Sequence, residues 1–126
     1  MSMISGKNTK PELIIRRILF KNGFRFRVNV KSLKGTPDIV LKKYNTIIFI
    51  NGCFWHGHKN CNKFVVPKTR TKWWINKIEA NIERDKRNIK YLKNLGWKVI
   101  VLWECQLQKS ILEKTVKKLI EKLKGK

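Results

Sequence analysis

The spacing of apolar and polar positions divides the 126-residue chain into seven elements. Thr9-Lys10-Pro11-Glu12 has the form of a capping box, a hydroxyl N-cap with an acid three residues on, and Leu13, Arg16, Arg17 and Leu19 continue it. A helix over 10–21 is predicted, stopped by Asn22-Gly23. Residues 24–28 alternate and read as a strand, Lys34-Gly35 breaks the chain ahead of a second strand over 37–41, and Tyr44-Asn45 turns it into a third over 46–50. These make an antiparallel meander whose last strand is apolar on both faces, as a strand in the middle of a sheet would be. Residues 51–68 show no period. Over 69–95, Trp74, Ile75, Ile78, Ile82, Ile89 and Leu92 recur at helical spacing and predict one long helix that Gly96 ends. Residues 97–103 then read as a buried strand, and 110–123, with Leu112, Val116, Leu119, Ile120 and Leu123 on one face, as an amphipathic helix. That order predicts an α/β fold, a mixed central sheet flanked by helices in three layers. A chain of this length supports one core, so a single domain over 1–126 is expected, with no repeat and no Gly/Ser/Pro-rich linker.

Charge narrows the partner. Thirty Lys plus Arg against eight Asp plus Glu give a net charge of +22. Such a surface repels itself unless it meets a polyanion, and a nucleic acid releases counterions as each phosphate is neutralised. A membrane surface would call for a basic amphipathic helix or tail, whereas the lysines run from Lys7 to Lys126. A lysine-inflating low-GC coding bias is the plain alternative. The longest apolar runs, 47–50 and 99–103, are too short to span a bilayer. The first ten residues lack the charged-then-apolar order of a secretory leader, so a cytoplasmic protein is expected. Its three cysteines then read as thiols or metal ligands rather than disulfides.

Two places carry chemistry. Cys53, His58 and Cys61 lie within nine residues, and Cys105 follows the last predicted strand. Three thiolates and an imidazole suit a closed tetrahedral zinc site, which would staple the irregular 51–68 stretch to the sheet end. The alternative is three unrelated buried thiols. The spacing also leaves open which of His56 and His58 is the ligand; the other, free of metal, could act as a general base. Asp38 enters a strand of apolar neighbours, Ile39, Val40 and Leu41, in a chain with few acids. It reads either as a metal anchor for phosphodiester hydrolysis or as a turn-initiating aspartate.

The stretches Phe49-Ile-Asn-Gly-Cys-Phe-Trp-His-Gly-His58, Pro67-Lys-Thr-Arg-Thr-Lys-Trp-Trp74, Asn81-Ile-Glu-Arg-Asp85, Trp97-Lys-Val-Ile-Val-Leu-Trp-Glu-Cys105 and Gly35-Thr-Pro-Asp38 resemble the signature of the very-short-patch-repair (Vsr) endonucleases, from Met1 to about Leu107. The resemblance implies a fold like that of type II restriction enzymes and magnesium-dependent nicking of one strand 5′ of the mismatched thymine in T:G mispairs, which arise from 5-methylcytosine deamination. The partners it implies are mismatched double-stranded DNA and, functionally, a cytosine-5 DNA methyltransferase. Carried over by residue, Asp38 ligates magnesium with the backbone carbonyl of Ile50, His56 activates the attacking water, and Glu12 supports the hydrogen bonds of the site. Cys53, His58, Cys61 and Cys105 hold structural zinc. Phe54, Trp55 and Trp74 form a wedge that enters the base stack, where flat side chains recover stacking energy at a mispair; a core role on the helix face is the alternative for Trp74. Lys68 and Arg70 are assigned to DNA. Trp97 and Trp103 read as core.

The chain departs from the family pattern in places. Asn51 stands where a family histidine protonates the leaving group, and an amide offers only a hydrogen bond there. Ile50 replaces a threonine, without effect if only its carbonyl binds metal, and one extra residue separates His58 from Cys61. Met1 aligns with a methionine well inside the pattern, which implies that an N-terminal DNA-gripping arm is missing or trimmed. The competing functions are a restriction-type enzyme cutting matched DNA and a non-catalytic zinc-containing DNA-binding module. A bacterial, nucleoid-associated monomer is expected, since nicking one strand needs one active centre.

Overall fold

A computed structural model describes residues 10–58, 61 and 65–124. Thr9, the expected N-cap, lies outside them, but the helix it would start runs as α1 over Lys10–Lys21. Then come β1 (Arg27–Val28), β2 (Ile39–Leu41), a 3₁₀ turn (Lys42–Tyr44) and β3 (Thr46–Asn51). The long helix α2 (Thr71–Asn94), β4 (Lys98–Trp103), a second 3₁₀ turn (Glu104–Leu107) and α3 (Leu112–Leu123) complete the chain. The sheet order is β1-β2-β3-β4, with β1, β2 and β3 antiparallel and β3 parallel to β4. A parallel pair needs a long crossover, and α2 supplies it.

Strand alternation divides the core into two layers. Ile39, Leu41, Ile48 and Leu102 face one way and pack with Ile15 and Leu19 of α1 and Leu119 and Leu123 of α3. Val40 and Ile47 face the other way and meet Leu92 of α2, with Phe49, Trp97 and Val99 packed around them. The three-layer α/β arrangement expected from the pattern is therefore present, with α1 and α3 on one side of the sheet and α2 on the other. Among the described residues no helix is long and apolar enough to cross a membrane.

Three local expectations are corrected. The first strand shrinks from 24–28 to Arg27–Val28, because Phe24 turns into the core against Tyr44, with ring centroids 5.2 Å apart. Ile75 is 42% exposed rather than part of the buried stripe, because the first turn of α2 packs through the neighbouring Trp74, which lies on Phe54 and Trp55. Trp103, expected in the core, is half-buried at the C-terminal end of β4, where its ring lies flat on the imidazole of His58, with centroids 4.1 Å and planes 5° apart.

Candidate active site and metal centre

The C-terminal end of β3, the entry to β2 and the middle of α2 enclose a cavity of about 440 Å³ lined by Asp38, Ile50, Asn51, His56, Arg84, Asp85 and Asn88, among others. Its entrance segment is strained. Gly35 (φ 79°) and Thr36 (φ 45°) are both left-handed, a conformation that a β-branched residue rarely adopts. A Cβ on Gly35 would meet Asn88 Nδ2 at 3.1 Å and the Phe49 ring at 3.3 Å. This kink turns the chain so that Asp38 enters β2 with its carboxylate reaching across to β3.

Asp38 Oδ2 accepts the Ile50 N–H at 2.6 Å. The β2–β3 register, continued beyond the Ile39↔Ile48 pair, sets Pro37 opposite Ile50. Pro37 has no N–H to give the Ile50 carbonyl, and its own carbonyl accepts from Val30. The ladder thus ends where a carboxylate and a backbone carbonyl come together, the hard oxygen donors that magnesium takes. Burial is the main cause that raises the Asp38 carboxyl to about 8, and a hydrogen bond to Glu12 adds to it. Glu12 is only 2% exposed and has Arg16 Nη2 3.4 Å from its Oε2. A buried pair of acids sharing a hydrogen bond is the environment that a divalent cation relieves.

His56 sits on the loop after β3, its Nδ1 2.5 Å from Asp85 Oδ2 on α2. This pairing places the ring proton on Nδ1 and leaves Nε2 as the basic nitrogen. Asp85 was not singled out from the sequence, yet a signal existed. Ile78, Ile82, Ile89 and Leu92 trace a stripe along α2 in which the place between Ile82 and Ile89 is held by an acid. Asn51, 8% exposed, ends β3 at the cavity wall.

The ligand atoms of Cys53, His58, Cys61 and Cys105 lie within 4.8 Å of one another, and Cys105 Sγ is 3.5 Å from His58 Nδ1. Geometry therefore selects His58 for this cluster and His56 for the cavity. Burial pushes the Cys53 thiol up to about 12 and raises Cys105 as well. Three thiols and an imidazole gathered within 4.8 Å of one another are a donor set that fits a soft divalent ion able to displace the thiol protons. The second 3₁₀ turn carries Cys105, and Glu104 Oε1 accepts the Cys53 N–H at 3.2 Å.

The loop is pressed onto α2 at Gly57 (φ 59°), where a Cβ would lie 2.7 Å from Ile82 Cδ1 and 2.8 Å from Ile78 Cγ2. Gly57→Ala is accordingly expected to cost about 2–3 kcal/mol of stability through combined overpacking and backbone strain, measurable by denaturant unfolding. A midpoint equal to that of the parent protein would refute the close approach.

Phe54, Trp55 and Trp74 do cluster, with ring centroids 5.2 to 5.7 Å apart, and Trp55 is 48% exposed. Trp73, not anticipated, joins them 4.8 Å from Trp74 and is half exposed. Trp74 belongs to this surface group and not to the core clusters. Lys68 and Arg70 are exposed beside it, the Arg70 guanidinium 4.8 Å from the centre of the Trp73 ring.

The family model of DNA mismatch endonuclease Vsr matches residues 1–63. A type II nicking enzyme of Neisseria meningitidis serogroup A, V.NmeAIP, is 49% identical over 125 residues, 98% of this chain and 89% of its own length. The DNA mismatch endonuclease Vsr of Escherichia coli is 45% identical over 108 residues, 86% of this chain and 69% of its own. The type II nicking enzyme V.XorIIP of Xanthomonas oryzae pv. oryzae is 46% identical over 107 residues, 85% of this chain and 78% of its own. With its mixed sheet, its acid-lined cavity and these relatives, the chain belongs to the DNA mismatch endonuclease Vsr family, a family of restriction-endonuclease-like DNA endonucleases.

Proposed function

We propose that the protein is a magnesium-dependent, strand-specific endonuclease that nicks DNA 5′ of the mismatched thymine in T:G mispairs left by deamination of 5-methylcytosine. The observation that carries this reading is the cavity in which Asp38 and the His56–Asp85 pair meet, beside a surface of exposed tryptophans on a strongly basic chain. The relatives named as mismatch endonuclease and nicking enzymes support it.

Magnesium, held by Asp38 and the Ile50 carbonyl, would supply neutralisation of the phosphate charge. His56, its Nδ1 proton held by Asp85, takes a proton from the attacking water through Nε2. Water adds to phosphorus as the P–O3′ bond breaks, leaving a 5′ phosphate and a 3′ hydroxyl whose proton comes from solvent. Asn51 steadies a phosphate oxygen by hydrogen bonding and transfers no proton. Glu12 fixes the Asp38 carboxylate through their shared hydrogen bond. Phe54, Trp55 and Trp74 enter the stack at the mispair, while Lys68 and Arg70 neutralise phosphates nearby. Zinc in the Cys53, His58, Cys61 and Cys105 set would be a closed staple with no position for substrate. The protein acts as a one-domain monomer in the bacterial cytoplasm, at the nucleoid, repairing the mispairs that a cytosine-5 DNA methyltransferase makes possible.

The deciding experiment incubates the protein and magnesium with a panel of T:G-mismatched and matched duplexes. A nick in the thymine strand of mismatched DNA is expected. Cutting of both strands of matched DNA would point to a restriction-type enzyme, and tight magnesium-independent binding without a nick to a DNA-binding module.

A further inference from the structure

In a chain of net charge +22, the cavity is lined, among the described residues, by two carboxylates, Asp38 and Asp85, and by a single lysine or arginine, Arg84. Arg84 precedes the acid that orients His56. Asn81, Arg84, Asp85 and Asn88 are spaced i, i+3, i+4 and i+7 along α2, so they share one helix face. The guanidinium is also held in place. Its Nη2 donates to Asn81 Oδ1 at 3.1 Å, and Asn81, 7% exposed, donates its own Nδ2 to the Trp55 carbonyl at 2.9 Å. A hydrogen-bonded chain therefore runs from the backbone of the tryptophan-bearing loop to the cation at the cavity.

We infer that Arg84 is a further catalytic residue, whose guanidinium contacts the non-bridging oxygens of the scissile phosphate and stabilises the charge that gathers there as water adds. The chemistry has a use for such a group beyond the metal. A phosphodiester in hydrolysis gains negative charge on its equatorial oxygens and on the departing 3′ oxygen, and Asn51 has no proton to transfer to the latter. A fixed cation meets that charge without proton exchange, and arginine stays charged at any working pH while offering a planar fork of donors to phosphate oxygens. The opposite side of the cavity holds Asp38 and Ile50, so cationic help from α2 adds to help from β2 and β3. Because Asn81 grips both Arg84 and the Trp55 carbonyl, the position of the cation depends on the seating of the aromatic loop, which ties phosphate stabilisation to engagement of the base stack.

This inference rests on the endonuclease reading, and the test separates the two. Single-turnover nicking of a T:G duplex with magnesium is measured for the full chain and for Asp38→Ala, Arg84→Ala and Arg84→Lys, alongside binding of the same duplex in calcium and thermal unfolding. A parent protein that does not nick overturns the endonuclease reading and this inference with it. If the parent nicks, Arg84→Ala is expected to lose about 10²–10³-fold in cleavage rate, as removal of one charge-stabilising donor does. Duplex affinity and unfolding temperature should stay near those of the parent. Arg84→Lys should be intermediate, and added guanidinium ion at a non-denaturing concentration should restore part of the Arg84→Ala rate. A rate equal to the parent's, a loss confined to duplex affinity, or a loss without rescue and with a lowered unfolding temperature each overturns the assignment.

Discussion

Asp38→Asn is expected to abolish nicking while making the magnesium-free protein more heat-stable, because the carboxylate proposed to hold the metal is one the fold resists ionising. The catalytic loss should reach about a thousandfold or more, since metal stabilisation of phosphoryl charge is worth several kcal/mol and each 1.4 kcal/mol is tenfold in rate. The stability gain follows from linkage. Burial raises the Asp38 carboxyl from 3.8 to about 8. Between those values the folded chain holds a proton that the unfolded chain has shed, so folding stability falls as the pH climbs from about 4 towards 8. Asparagine removes this dependence and keeps the local contacts, its oxygen accepting the Ile50 N–H and its amide facing Glu12. The unfolding temperatures of variant and parent, compared in the same metal state and without magnesium, should therefore nearly coincide at about pH 4.5 and separate by several degrees, variant above parent, near pH 8. A variant no more stable than the parent at pH 8 would show that Asp38 is not strained by burial, and residual nicking near the parent rate would remove it from the reaction.

Most of the architecture was legible because hydrophobic periodicity and layer packing are the same fact seen twice. Ile47 and Ile48 face opposite layers of the core, which is why β3 read as a central strand before any partner was known. Where the reading failed, long-range packing overrode local pattern. Phe24 alternates with Phe26 like a strand residue, but the core that Leu19, Tyr44 and Ile39 build draws it inward and shortens β1. Trp103 sits in an apolar run and looked like core; only the fold brings His58, forty-five positions earlier, under its ring.

The candidate site was legible to a different degree at each residue. A Cys-x4-His-x2-Cys cluster with a distant cysteine reveals itself by ligand chemistry, and the structure does gather the four atoms. Spacing could not decide between His56 and His58, because two residues of irregular loop turn the side chains in directions that no periodicity encodes. The tight turn recorded in the bonds from His56 N–H to the Gly52 carbonyl, and from His58 N–H to the Cys53 carbonyl, makes that choice. Asp85 was hidden for another reason. One polar residue on an apolar helix stripe is an ordinary event, and it gains meaning only when a histidine from elsewhere in the chain arrives opposite it. Arg84 and Trp73 were hidden in the same way, the first among 30 basic residues and the second beside a tryptophan already assigned.

Loss of a ligand from the proposed zinc site should be the most damaging single change to the fold. Cys105→Ser exchanges sulfur for oxygen with almost no change of shape, so what it tests is coordination and not packing. Purified parent protein should carry near-stoichiometric zinc, and the variant much less. Structural zinc in a Cys/His set binds with on the order of 10 kcal/mol or more, comparable to the whole stability of a typical domain at about 5–15 kcal/mol. Even a partial loss should therefore lower the unfolding temperature steeply, and strong chelation of the parent should reproduce the effect. The damage should also reach the active centre. Cys53 and His58 bracket His56 on one short loop, Glu104 ties Cys53 to the turn that carries Cys105, and Trp103 braces the His58 ring from the sheet. Release of the staple would free the loop that sets Nδ1 of His56 against Asp85, so nicking should fall even at temperatures where the sheet survives. Parent protein that purifies without zinc, or a Cys105→Ser variant that unfolds at the parent temperature, would mean that the four side chains are held together by packing alone.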